Sequence, residues 1–149
     1  MMNYRILPVT HYQQNCSLIW CSETLEAALI DPGGDAEQLL QAAEDEGVKL
    51  VMILLTHGHI DHVGATTAIA EKCQIPVFGP HEADRFWLEA LPEQAEHFGF
   101  PPIAPFSPSR WLLDGDTLSL GELRLQVVHT PGHTPGHVVF YEHNSNNAF

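Results

Sequence analysis

The chain has 149 residues, 44% of them apolar, with 6 Lys and Arg against 19 Asp and Glu for a formal charge of −13. That is one domain's worth of chain with enough apolar material for a sizeable core, and so acidic a surface repels phosphate backbones, which excludes nucleic acid as the expected partner. No apolar run approaches the ~18 residues that a membrane-spanning helix needs, and Cys16, Cys21 and Cys73 suit neither a disulfide frame nor a zinc knuckle, so they read as buried thiols in a reducing compartment.

In chain order, Met1-Met2-Asn3-Tyr4-Arg5 lacks a basic segment leading into an apolar one, so no signal peptide is expected and cytoplasm is the expected location. Tyr4 to Val9, Ser17 to Cys21 and Ala27 to Ile30 read as an antiparallel series of strands. A helix is expected from Ala36 to Glu46, with Asp35 as its N-cap and Gly47 as its stop. Val48 to Leu55, with its unbroken apolar run Leu50 to Leu55, reads as a buried strand, followed by a loop and a helix that starts near Val63 to Thr67 and runs to about Lys72. A short strand over Ile75 to Phe78 and a helix over about Glu82 to Leu91 come next. Phe98 to Pro108 carries four prolines and reads as an irregular loop able to overhang a site. Leu118 to Leu120 and Leu123 to Val128 form a hairpin turning at Gly121-Glu122. Val138 to Tyr141 is a further strand, and after a polar turn Ala148-Phe149 opens a return strand.

The loop after the buried strand holds the densest chemistry, Thr56-His57-Gly58-His59-Ile60-Asp61-His62. Imidazole nitrogen and carboxylate oxygen are the ligands that suit zinc, iron or manganese, and sites in open α/β sheets form at the carboxyl ends of strands. His57 and His59 are two apart, so an extended backbone projects them to the same side. Gly58 between them would let a metal approach the backbone. Asp61 and His62 fall where the chain turns into a helix and would point to a second position beside the first. Nothing about packing calls for this cluster after a buried strand.

A second cluster, Thr130-Pro131-Gly132-His133-Thr134-Pro135-Gly136-His137, follows the apolar run Leu123 to Val128. His133 sits in a tight Pro- and Gly-set turn and is the candidate third ligand of the first metal. His129 and His137 read as structural or supporting residues, since ligating histidines lean on outer partners. His11, His81, His97 and His143 read as ordinary solvated or hydrogen-bonded side chains. Asp31, at a strand end, reads either as a group near the site or as a cap or turn residue.

The stretch His57 to His62 resembles the HxHxDH signature of the metallo-β-lactamase superfamily, and Thr130 to His137 resembles the TPGHTxGH turn of its glyoxalase II branch. Ala28-Leu29-Ile30-Asp31-Pro32-Gly33-Gly34 resembles that branch's early strand ending in Asp-Pro-Gly. The likeness covers essentially the whole chain and is greatest to short bacterial glyoxalase II-like proteins, the hydroxyacylglutathione hydrolase type. It implies an α+β fold, the four-layer αββα sandwich, with its second half incomplete in this chain, as a single domain over residues 1–149. It implies zinc (one or two ions, with iron or manganese as alternatives), held by His57, His59 and His133 in one position and by Asp61 and His62 in the other.

The family also uses a bridging Asp soon after the TPGH turn and a later His. No Asp follows Asp116 in this chain. The expectation is therefore a truncated portion, roughly the first two-thirds of a longer protein, with weak or absent activity by itself.

The implied function is a metal-dependent hydrolase that cleaves a small-molecule thioester such as S-lactoylglutathione. A metal lowers the pKa of bound water from ~15.7 to about 7, and the resulting hydroxide attacks the thioester carbonyl while Asp61 helps hold it. No Gly-x-Ser-x-Gly elbow offers a serine route instead. Two alternatives stand beside this: an iron persulfide dioxygenase, and a non-catalytic metal-binding fragment.

Overall fold

A computed structural model describes residues 1–149. The first three strands, β1 (Met2–Val9), β2 (Gln14–Cys21) and β3 (Glu26–Ile30), form the antiparallel meander expected of them. The chain then crosses over through helix α1 (Ala36–Glu46) to β4 (Lys49–Leu54), parallel to β3, and later to β5 (Val77–Phe78), parallel to β4. The sheet order is β1-β2-β3-β4-β5. Between β4 and β5 lie the short α2 (Ile60–Val63) and α3 (Thr66–Cys73). After β5 come a 3-10 turn (Glu82–Asp84), α4 (Arg85–Glu89) and α5 (Leu91–Phe98). The second sheet is a four-stranded antiparallel run, β6 (Thr117–Leu120), β7 (Leu123–His129), β8 (Val138–Glu142) and β9 (Asn147–Ala148).

The period-2 alternation of the central strands builds two cores at once. Leu18 and Trp20 of β2, Ala27 and Leu29 of β3, and Ile53 of β4 face the helices, meeting Leu39, Ile60, Val63, Ile69 and Leu88. Their neighbours Ile19, Cys21, Ala28, Ile30, Met52 and Leu54 face the second sheet, meeting Leu118, Leu125, Val127, Val138 and Phe140. Strands buried on both faces read as continuous apolar runs, which is the appearance of 50–55. The result is the mixed α+β fold that the resemblance implies, with helices over the outer face of the first sheet and the two sheets packed face to face. No helix is long and apolar enough to cross a membrane.

Four local expectations are corrected. Asp35 is no side-chain N-cap: it takes a left-handed conformation, and its carboxylate instead accepts from the Thr10 amide at 2.9 Å, tying the β1–β2 turn to the start of α1. The helix expected over 82–91 is broken into a 3-10 turn and α4, with α5 continuing to Phe98, because Leu91-Pro92 supplies a fresh first turn in which proline is tolerated. Helix begins at Ile60 rather than near Val63, which places Asp61 and His62 in the first turn of α2. Of the cysteines, Cys16 and Cys21 are buried but Cys73, in the last turn of α3, is only partly so. Gly47 does end α1 in the left-handed region, its amide bonding back to Ala43 and Glu44.

Candidate metal centre

The site begins at the end of β4, where Thr56 and His57 leave the sheet. The Thr56 amide donates to Asp31 Oδ1 at 2.8 Å and its hydroxyl to Asp31 Oδ2 at 2.6 Å. A hydroxyl has one proton, and a carboxylate only accepts. The Thr56 oxygen, 2.8 Å from His57 Nδ1, must therefore accept the Nδ1–H of that ring. This chain of bonds fixes the His57 tautomer and leaves a lone pair on Nε2. That atom is buried and has no hydrogen-bond partner in the protein.

Around this bare nitrogen the other imidazoles gather. The ring of His59 lies 4.9 Å from that of His57 by centroids, His133 also 4.9 Å, and His59 and His133 are 5.0 Å apart. Donor nitrogens of all three lie within 4.8 Å of one another. Three donors bound to one ion at about 2.1 Å lie about 3.4 to 3.6 Å from one another, so side-chain adjustments of up to about 1 Å close the set. Water cannot reach His57 Nε2, but a cation at that shorter bond length can. The residues present thus fit a small divalent ion.

The electrostatics agree. Burial, and then the neighbouring rings of His62, His59, His137 and His133, push the His57 pKa down to about 2. Burial and then His133 lower that of His59, and burial lowers that of His137. Neutral imidazole is the metal-binding form.

His62 comes to the same place from the first turn of α2, its ring 4.0 Å from that of His57. Its Nδ1 lies 2.9 Å from Asp31 Oδ2, to which it donates, and its Nε2 lies 3.8 Å from Asp61 Oδ2. Asp31, His57 and His62 also offer atoms within 4.8 Å of one another. Yet the Asp31 carboxylate already accepts from the Thr56 amide, the Thr56 hydroxyl and His62, so it reads as an orienting group rather than a ligand. Of the two roles expected for Asp31, the one near the site is the one the structure shows. Asp61 stands beside His62 and apart from the triple of His57, His59 and His133.

The loop that carries His133 is fixed by a residue the sequence did not single out. Asp84 is fully buried, and its carboxylate accepts from the Gly58 amide at 3.0 Å, the Thr134 hydroxyl at 2.7 Å and the Gly136 amide at 2.7 Å. One carboxylate therefore holds both histidine loops. Gly58 and Gly136 are what let it. A Cβ on Gly58 would sit 2.7 Å from Trp87 Cβ, and one on Gly136 2.5 Å from the Asp84 amide nitrogen. Gly58 thus makes room for α4, correcting the expectation that it makes room for a metal. Gln94 of α5 is the second missed residue: its Oε1 accepts from the Ile60 amide at 3.0 Å, and its Nε2 donates to the Gly58 carbonyl at 3.2 Å. In sequence, Asp84 and Gln94 look like any polar residue on a short helix, and no local signal marks them.

His137 packs 5.0 Å from the His57 ring, with Nδ1 hydrogen-bonded to the Thr130 hydroxyl, and His129 Nε2 bonds the Pro135 carbonyl within the same loop. Both are supporting positions. His81 stacks on His129 at 4.1 Å, His11 lies against Tyr12, His97 against Phe98, and His143 bonds Gln126. None of these four joins the convergent set.

The family model of the metallo-beta-lactamase superfamily matches residues 9–149. The hydroxyacylglutathione hydrolase GloC of Haemophilus influenzae is 49% identical over 149 residues, covering 99% of this chain and 70% of its own. Two solved structures align over nearly the whole chain and 70% of their own: the B3 metallo-beta-lactamase BLEG-1, with TM-score 0.86 and 34% identity, and TTHA1623 in a di-iron-bound form, with TM-score 0.85 and 35% identity. The chain spans 65% to 70% of the length of the first three curated relatives it matches. A fold of two face-packed sheets with histidine loops meeting at one edge, matched at this level, defines a metal-binding hydrolase class. The chain belongs to the metallo-beta-lactamase superfamily.

Proposed function

We propose that this chain carries the metal centre of a thioester hydrolase of the glyoxalase II type, acting on a small-molecule thioester such as S-lactoylglutathione. The observation that carries the reading is the bare, buried Nε2 of His57, with its tautomer set by Thr56 and Asp31 and two further imidazoles converging on it. His57, His59 and His133 hold one cation, zinc in the first instance, with iron or manganese as alternatives. Asp61 and His62 serve a second position beside it. When bound there, a divalent cation supplies Lewis acidity, lowering the pKa of water and polarising a carbonyl.

The chain's own residues do the rest. Asp31 holds the Nδ1 proton of His62, so that Nε2 faces outward toward Asp61. Asp61, beside His62, would also help hold the attacking hydroxide. Asp84 and Gln94 keep the two loops in register, which matters because a misplacement of about 1 Å costs on the order of a hundredfold in rate. The names of hydroxyacylglutathione hydrolases among the relatives support thioester chemistry. We place the protein in the cytoplasm, as one domain over residues 1–149.

The test is a thioester panel, S-lactoylglutathione included, on metal-loaded protein, with bound metal measured alongside and His59→Ala as control. Weak hydrolysis that tracks metal content and is lost in His59→Ala is expected. A control with full activity removes the assigned site. Oxygen uptake on a persulfide by iron-loaded protein, without thioester cleavage, selects the dioxygenase instead.

A further inference from the structure

A cavity of about 230 Å³ opens beside the histidine loops, with Tyr12, Trp87, Phe98 and Phe100 as walls and His59 and Asp61 at its inner end. It is built by three segments distant in sequence. Tyr12 comes from the β1–β2 turn, Trp87 from α4, and Phe98 and Phe100 from the end of α5 and the proline-rich loop. Tyr12 and Phe100 stack at 5.6 Å with 18° between ring planes, and the Tyr12 hydroxyl lies 3.4 Å from the Phe98 carbonyl. Trp87 stands edge-on to the His59 ring at 4.7 Å. Tyr12 and Phe98 remain 50% and 44% exposed at its mouth. Large aromatics left in water around a concavity are the usual mark of a binding site.

The chemistry of the walls selects the occupant. None of the six Lys and Arg side chains lines the cavity. Gln94 lines it but has spent its amide on Gly58, Ile60 and Trp87. No cationic side chain there would pair with a carboxylate, and the Asp61 carboxylate that lines the cavity would repel one. The volume equals roughly seven water-sized groups at about 30 Å³ each, more than a two-carbon acyl group fills.

Resting on the thioester reading above, we propose that this aromatic-walled cavity is the acyl subsite, and that it selects uncharged apolar acyl groups of about four to six carbons over acetyl and over acyl groups ending in a carboxylate. The acyl carbonyl then lies at the inner end, beside His59 and Asp61, and the chain runs outward between Trp87 and the Tyr12–Phe100 stack. Each methylene buried there is worth about fourfold in kcat/KM.

The test uses thioesters of one small thiol, N-acetylcysteamine, with acetyl, butyryl, hexanoyl and succinyl groups, on metal-loaded protein. In the parent, kcat/KM rises about fourfold per methylene from acetyl to butyryl, and succinyl falls at least tenfold below butyryl. Tyr12→Ala and Phe98→Ala, both at half-exposed positions that the fold tolerates, each flatten the series severalfold. A flat acyl series in the parent, or an unchanged slope in both variants, overturns the subsite while leaving the hydrolase reading standing. If no thioester is cleaved, calorimetry with the non-cleavable S-butyl and S-ethyl thioethers decides the subsite. Tighter S-butyl binding that Tyr12→Ala weakens upholds it, and equal binding of the two overturns it.

Discussion

His57 is the residue on which the site turns, and its chemistry follows from where the fold has put it. Folding depresses its pKa from 6.5 to about 2, chiefly by burial. Between those values the unfolded chain binds a proton that the folded chain refuses, so stability rises with pH across that window and is lost as pH falls through it. Lowering metal-free protein from pH 7 to pH 5 should cost about 2 kcal/mol at this residue alone. His59 and His137 shift in the same direction, for the same reason. Urea midpoints in chelator at the two pH values check this, and an equal or higher midpoint at pH 5 contradicts it. Asp84 makes the complementary prediction. Asp84→Ala leaves the Gly58 and Gly136 amides and the Thr134 hydroxyl without their buried acceptor. At about 1–3 kcal/mol per orphaned donor, a loss of about 3–5 kcal/mol is expected. Metal affinity should fall about 10- to 100-fold as the loops part. Thermal melts and a zinc competition assay read the two effects separately.

Among elements, the contact that matters most is between α4 and the loop after β4. Trp87 and Leu88 of α4 lie so near Gly58 that an added methyl has no place, the nearest atom being Trp87 Cβ at 2.7 Å. Gly58→Ala should cost about 1–3 kcal/mol through overpacking, with Trp87 pushed off the His59 ring. A lowered Tm together with a changed indole emission would report this, and a variant with the parent's Tm and spectrum would refute it. The same elements explain what could be read in advance. The strand-forming residues of β1 to β3 and the period of α1 are local properties, and those elements form at the expected places to within three residues. The stretch 82–98 misleads because its helices are held by Asp84 and Gln94 reaching into the loops, contacts that no local period encodes.

For the molecule as a whole, two cores share the strands β2, β3 and β4, one on each face. Damage on either side should therefore reach the other. Phe140 of β8 is fully buried in the core between the sheets, while Trp20 of β2 lies in the core beneath the helices. Phe140→Ala should destabilise by about 3–5 kcal/mol. Indole fluorescence and far-UV circular dichroism should move to the same lower urea midpoint. Two separated transitions would mean that the sheets unfold independently, and would remove the reading of residues 1–149 as one cooperative domain.

The candidate metal-ligating side chains were written in the chain itself. Imidazoles and a carboxylate packed into 57–62, and a histidine framed by proline and glycine at 131–136, announce their chemistry by residue type and spacing alone. Which tautomer His57 adopts, that Asp31 accepts from Thr56 and His62, that Asp84 clasps both loops, and that four aromatics from distant segments wall a cavity beside His59 came only with the folded chain. The physical reason is range. A ligand's donor atom belongs to its own residue, but the bonds that aim it and the walls that surround it come from residues tens of positions away, and only packing brings those together.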